Sequence, residues 1–200
     1  MIYGGVDPQA FTPGAATRDR LIVFVGRLLP HKGIDVLIRA LPPGARLEIY
    51  GRVYSTKYAE DLADLAQGKD VRFEADATDA EIISAYQRAR VAVLPSVDVT
   101  MYGERAGKTE LFGLTLVEAM ACGTPVICTS AGAMQEVVED GKTGFVVPPG
   151  DPERLRERLN DLLADDERWL TMSESAIAHV RGRITWQHVA DRAFEAYGFA

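Results

Sequence analysis

Along this chain, short apolar runs alternate with longer stretches whose apolar residues recur at helical spacing. "LIVFVG" at 21–26 is a β-rich run closed by glycine. "KGIDVLIRAL" at 32–41 then places Ile34, Leu37, Ile38 and Leu41 on one helix face, until Pro42 and Pro43 end it. The unit recurs as "RLEIYG" (46–51) before "TKYAEDLADLAQ", and as "VRFEA" (71–75) before "DAEIISAYQRA". "VAVLP" at 91–95 is continuously apolar, as parallel strands covered on both faces tend to be. A long loop, 96–109, leads to a helix over 114–122, then "PVICT", a short helix near "AMQEVVED", and the strand "GFVVPP". Strands alternating with helices predict an α/β fold, a Rossmann-like parallel sheet with helices on both faces. The C-terminal end is predicted to be helical: "DPERLRERLNDLLAD", "DERWLTMSESAIAHV" and "TWQHVADRAFEAY" are amphipathic, each opened by a capping or turn residue.

Composition narrows this picture. The chain has 200 residues, 47% hydrophobic and 26% charged, enough for one globular domain with its own core. A net charge of -7, with no long run of either sign, argues against a nucleic-acid surface but leaves room for a small basic pocket. Cys122 and Cys128 stand in apolar surroundings without metal-ligand spacing and read as buried thiols of a reducing compartment. No apolar run is long enough to span a bilayer, and "MIYGGVDPQAFTP" lacks the pattern of a signal peptide, so a cytoplasmic location is expected. There is no internal repeat and no low-complexity segment.

In an open parallel sheet, ligands bind at the carboxyl ends of the strands. Three loops there carry candidate chemistry: 26–33 ("GRLLPHKG"), 50–57 ("YGRVYSTK"), and the long one running from Ser96 into Gly113. In "ELFGLTLVEAMACGTPV" (110–126) the helix is apolar nearly all round, with Thr115 and Glu118 its only polar residues up to Cys122. A buried, ionised Glu118 costs several kcal/mol (roughly 2 or more) unless it is hydrogen-bonded or paired. The backbone amides of Gly113, Leu114 and Thr115, at the positive end of the helix dipole, favour an anion, and Gly113 lets a ligand approach the backbone. Glu110 and Glu118 can face one crevice and, as bidentate acceptors, suit the vicinal hydroxyls of a sugar or ribose. If the ligand also carries a diphosphate, two carboxylates beside it demand cations, and Arg27 and Lys32 bracket the first loop.

Taken in order, "FVGRLLPHKG", "VAVLPS", "ELFGLTLVEAMACGTPV" and "EDGKTGFVVPPGD" resemble the C-terminal, donor-binding domain of GT-B glycosyltransferases, the retaining family 4 type. The match runs over nearly the whole chain. The resemblance implies transfer of a sugar from a nucleotide diphosphate donor to an acceptor hydroxyl, with retention at the anomeric carbon and neither metal nor cofactor. Carried over, Arg27 and Lys32 hold the diphosphate and stabilise the leaving group, with Glu110 as the third catalytic candidate, binding donor-sugar hydroxyls. Gly26 closes the strand beside them. Gly113 and Leu114 give backbone amides, with Thr115 beside them in the first turn; Phe112 shapes the loop, Glu118 binds the ribose, and the base rests near Arg52 and the end of "VRFEA".

Two features depart from the family pattern: Gly5 stands where Asn is usual, and the loop "VDVTMYGERAGKT" is longer than common, leaving Tyr102, Arg105 and Lys108 without assigned contacts. The resemblance also implies a second, N-terminal acceptor-binding domain. Residues 1–200 are therefore expected to form a single nucleotide-sugar-binding domain without it, inactive alone. The alternative is a nucleotide-sugar-binding module or subunit with no activity of its own. A dehydrogenase-type domain is disfavoured because "GRLLPH" lacks the glycine fingerprint.

Plainer roles compete at several positions. Glu118 could serve only its helix N-terminus, Arg27 could pair with Asp35, and Lys32 could be solvated. His31, beside Pro30 in a turn, reads as structural or solvent-facing. The basic run "RLRERL" reads as a solvated face, with weak contact to an anionic membrane surface as the competing reading.

Overall fold

The computed structural model describes residues 4–14, 18–107 and 110–198; Lys108 and the first three residues of the N-terminal stretch lie outside them. Six strands, β1 (Leu21–Val25), β2 (Arg46–Tyr50), β3 (Val71–Glu74), β4 (Val91–Leu94), β5 (Val126–Thr129) and β6 (Gly144–Val147), form one sheet in the order β3-β2-β1-β4-β5-β6. Every pairing is parallel. The helices are α1 (Ile34–Ala40), α2 (Thr56–Ala66), α3 (Asp79–Arg88), α4 (Leu114–Ala121), α5 (Pro152–Ala164), α6 (Asp166–Arg183) and α7 (Trp186–Tyr197). They lie on both faces of the sheet: α1 packs with α2 and α5, and α4 with α3 and α6.

The central strands β1, β4 and β5 are buried almost throughout, which is why their sequences are continuously apolar. At the edge β3 is exposed along most of its length. One expected helix is only a 3₁₀ turn, and a second such turn precedes α1: Met134–Glu136 replaces the short helix read in "AMQEVVED", and Pro30–Lys32 leads into α1. The three C-terminal helices begin where their capping residues stand: Asp151, Asp165 and Thr185 each accept a backbone N–H of the first turn. The arginines of "RLRERL" are engaged locally: Arg154 with Glu157, Arg158 with Asp161 and the Phe145 ring, and Arg156 with the backbone of Arg39 and Ala40. No described helix is long and apolar enough to cross a membrane.

The sheet order reverses between β1, which pairs with β2 on one side, and β4 on the other. The crevice outside their carboxyl ends is where this kind of sheet holds ligands.

Candidate functional site

Two loops meet over that crevice. The loop after β1 stays sheet-like for a few residues: the Gly26 N–H donates to the Tyr50 carbonyl at 2.9 Å and the Leu28 N–H to the Arg52 carbonyl at 2.9 Å. It then turns through Pro30–Lys32 into α1 at Gly33. There φ is +66°, and an added Cβ would run into the Pro95 carbonyl oxygen. Gly33 is thus obligatory for the close approach of α1 to the end of β4. A bond from the Val97 N–H to the His31 carbonyl, 2.9 Å, ties the loop after β4 to the loop after β1.

The two loops bring Lys32 and Glu110 into an ion pair, Nζ to Oε2, with both side chains largely buried. Glu110 is held from behind as well: its carbonyl accepts the Ala133 N–H at 3.1 Å, and a Cβ on Gly132 would collide with its backbone. Lys32 is therefore not solvated. Arg27 is exposed beside it, its guanidinium 5.8 Å from the centre of the Tyr54 ring. The competing pairing of Arg27 with Asp35 is not formed: Asp35 is buried and engaged by Arg39 and by the Tyr58 hydroxyl, 3.0 Å away. His31 is half-buried. Its pKa is lowered by desolvation, then by Lys32 and Arg27, against the opposing pull of Glu110. A neutral imidazole and two cations thus share one small region.

α4 starts at Gly113, φ +83°, with no side-chain cap at its N-terminus. Leu114, read as part of the core, is 42% exposed there, and Leu111 just before it is 82% exposed. Phe112 packs partly on the core and lines a cavity of about 300 Å³ with His179, Arg183 and Arg192. Thr115 and Glu118 are half-buried on the same helix.

Both carboxylates read as acceptors for sugar or ribose hydroxyls have a partner within the protein: Glu110 has Lys32, and Glu118 Oε2 accepts the Tyr86 hydroxyl at 3.2 Å. One hydrogen bond does not offset the burial: the Glu118 pKa rises to about 7, chiefly through desolvation, with Tyr86 opposing and Asp79 adding to the rise. Tyr86 is 1% exposed, and its own pKa is pushed well up by burial and by Glu118.

Beyond the crevice, the carboxyl ends of β2 and β3 and the start of α3 enclose a cleft of about 620 Å³, lined among others by Tyr50, Glu74, Asp76, Ser84 and Arg88. Glu48, 5% exposed, accepts the Tyr50 hydroxyl at 2.8 Å and an Arg88 N–H at 3.1 Å, fixing both side chains in the cleft wall. Arg52 itself is exposed on the neighbouring loop, so the end of "VRFEA" borders a cleft while Arg52 does not line it. Among the described residues no group of three or more His, Cys, Asp or Glu is placed to hold a metal ion.

The sequence reading missed Tyr86, Tyr54 and the Glu48–Tyr50–Arg88 set. A usable signal existed for Tyr86 alone: its hydroxyl lies on the buried face of a helix and must find a partner there.

Residues 7–179 match the family model described as glycosyl transferases group 1. A D-inositol 3-phosphate glycosyltransferase of Corynebacterium urealyticum is 33% identical over 230 residues, an alignment taking in 98% of this chain and 50% of the relative. The chain spans about half the length of the curated relatives it matches (46–50%). Sucrose-phosphate synthase from Thermosynechococcus elongatus superposes with a TM-score of 0.81 at 28% identity, over 98% of this chain and 51% of its own. Anabaena HepE, crystallised with UDP and glucose, gives 0.86 over 100% of this chain and 56% of its own; at 23% identity that likeness is one of fold.

Proposed function

The chain belongs to the group 1 glycosyl transferases, and from that premise we propose that it is the donor-binding domain of a retaining glycosyltransferase, which transfers a sugar from a nucleotide diphosphate donor to an acceptor hydroxyl. The observation that carries the reading is the ion pair of Lys32 with Glu110 at the reversal of strand order, supplied by the loops after β1 and β4, with Arg27 exposed on the same loop as Lys32. A helix N-terminus with exposed Leu114 adjoins it. Structural neighbours crystallised with UDP and glucose or with UDP-glucose agree with a nucleotide-sugar ligand.

In this mechanism the bond between the anomeric carbon and the diphosphate oxygen breaks as the acceptor oxygen bonds to the same face of that carbon, and the acceptor's hydroxyl proton passes to the departing diphosphate. Negative charge grows on the diphosphate, and Lys32 and Arg27 offset it, in a crevice where such contacts are stronger than in water. Lys32 has three N–H donors, so it can keep Glu110 on one and donate to phosphate with the others. Glu110 thereby aims Lys32 and offers its remaining oxygen to a hydroxyl of the donor sugar. Glu118 accepts from the ribose, and the base occupies the cleft between β3 and α3. No metal or cofactor is assigned a role.

Because the chain spans about half of its relatives, transfer is assigned to this domain together with an acceptor-binding half, and the isolated chain is expected to bind donor without turning it over. Calorimetry with UDP, GDP and ADP tests the site. Wild type is expected to bind at least one of them, and Lys32→Ala to weaken that binding by about tenfold or more, the scale of a charge-assisted hydrogen bond. Equal affinity of wild type and variant would sink the cation assignment. Turnover of a nucleotide sugar by the isolated chain would overturn the need for a second half.

A further inference from the structure

We propose that Tyr86 is a positioning residue of the nucleotide site, its hydroxyl holding the Glu118 carboxylate in the orientation and charge state that accept the ribose hydroxyls. The inference rests on the donor-site reading above, because it takes Glu118 as the ribose ligand.

Tyr86 reaches α4 from the fully buried side of α3, and its hydroxyl crosses the helix contact to Glu118 Oε2, 3.2 Å away. The two helices are locked in that register. Arg18 donates to the Tyr86 carbonyl at 2.6 Å, the Ala89 carbonyl at 3.2 Å and the Thr124 hydroxyl at 3.0 Å, and to the Cys122 carbonyl at 2.7 Å. The Thr124 hydroxyl also donates to the Tyr86 carbonyl at 2.5 Å. The end of α3 and the end of α4 are thereby fastened to one guanidinium, so the meeting of Tyr86 with Glu118 is built into the helix pair. With one oxygen occupied by the phenol, the carboxylate is fixed in rotation and its remaining lone pairs are pre-aimed.

The charge state follows from the surroundings. Among the described residues, the titratable groups facing Glu118 are Tyr86 and Asp79 from α3 and Cys122 from α4, with Arg18 behind Cys122. Burial raises the Glu118 pKa to about 7 and Asp79 adds to the rise, while only the Tyr86 hydrogen bond pulls it down. Accepting two ribose hydroxyls needs the ionised form, so nucleotide affinity should rise with pH through the neutral range and then level off. Tyr86→Phe keeps the ring and its packing but removes the one bond that favours the carboxylate. Its midpoint should move to higher pH.

The experiment is calorimetry with UDP, GDP and ADP from pH 5.5 to 9, on wild type, Tyr86→Phe, Glu118→Gln and the double variant, with folding checked by thermal melting. For whichever nucleotide binds best, Tyr86→Phe should lose roughly 2–6-fold in affinity at pH 7, the fall in ionised fraction when the midpoint moves up from about 7 by half to one pH unit, and recover at pH 9. Glu118→Gln should bind weakly and keep only the pH dependence of the nucleotide's terminal phosphate and of His31, which the second substitution leaves unchanged. A loss of equal size at every pH, or no loss, refutes the proposal. So does the same pH-dependent loss when Tyr86→Phe is added to Glu118→Gln. Absence of binding by folded wild type overturns the donor-site reading itself, and the role of Tyr86 with it.

Discussion

Glu118 shows how one residue carries opposed demands. Its carboxyl is held near a pKa of about 7 because α4 buries it and the structure supplies one hydroxyl. A carboxyl whose folded pKa lies above its unfolded value destabilises the fold once ionised: stability falls as pH rises through the unfolded value toward about 7, and the loss is complete above it. Glu118→Gln removes that loss. Chemical denaturation should find the variant more stable than wild type at pH 8, by about 1–2 kcal/mol after allowance for partial exposure, and no more stable at pH 4. The same variant should bind ribonucleotides less tightly while losing far less toward 2′-deoxy analogues. Equal losses on both would remove ribose from its role. The sequence marked Glu118 as costly, since a lone carboxylate on an apolar helix is visible in the residue order. It did not disclose Tyr86 as the partner, because the two are 32 positions apart and meet only through helix packing.

At the scale of elements, the loops after β1 and β4 carry the proposed donor-binding groups, and glycines decide their reach. Gly33, with φ +66°, lets α1 begin against the carbonyl of Pro95. Gly33→Ala adds both a steric clash and a left-handed conformation that alanine resists, at a cost of about 1–3 kcal/mol or more. The expected result is a lower denaturation midpoint together with weakened nucleotide binding, since Lys32 precedes that glycine directly. A variant as stable as wild type would mean that the two loops have room to separate. The helices with caps were readable because a cap and its first turn are local; Asp151 and Thr185 serve as read, while the middle helix, read as opening at Asp166, is capped by Asp165 one residue earlier. The turn at Pro30 was read as well, but the 3₁₀ turn at Met134–Glu136 was read as a helix, since three-residue turns and short helices share the same local pattern.

For the whole molecule, ligand binding and stability are linked. A nucleotide sugar at 100 times its dissociation constant should add about 2.7 kcal/mol, a rise in melting temperature of roughly 5–10 °C for a domain of this size. Thermal shift across nucleotide sugars should single out a base and a sugar; no shift for any of them would count against a donor domain. Residue order alone determined the alternation of strands and helices, the parallel α/β class, the helical end, and which loops hold the cations and carboxylates, because periodicity, caps and strand-loop-helix order are local properties. Tertiary structure decided which charges meet. Lys32 and Glu110 are 78 positions apart, and their pairing, the grip of Tyr86 on Glu118 and the cleft fixed by Glu48 depend on the strand order that sets β1 beside β4 and α3 against α4. No local pattern encodes such distances, since they result from packing the whole sheet and its helices at once.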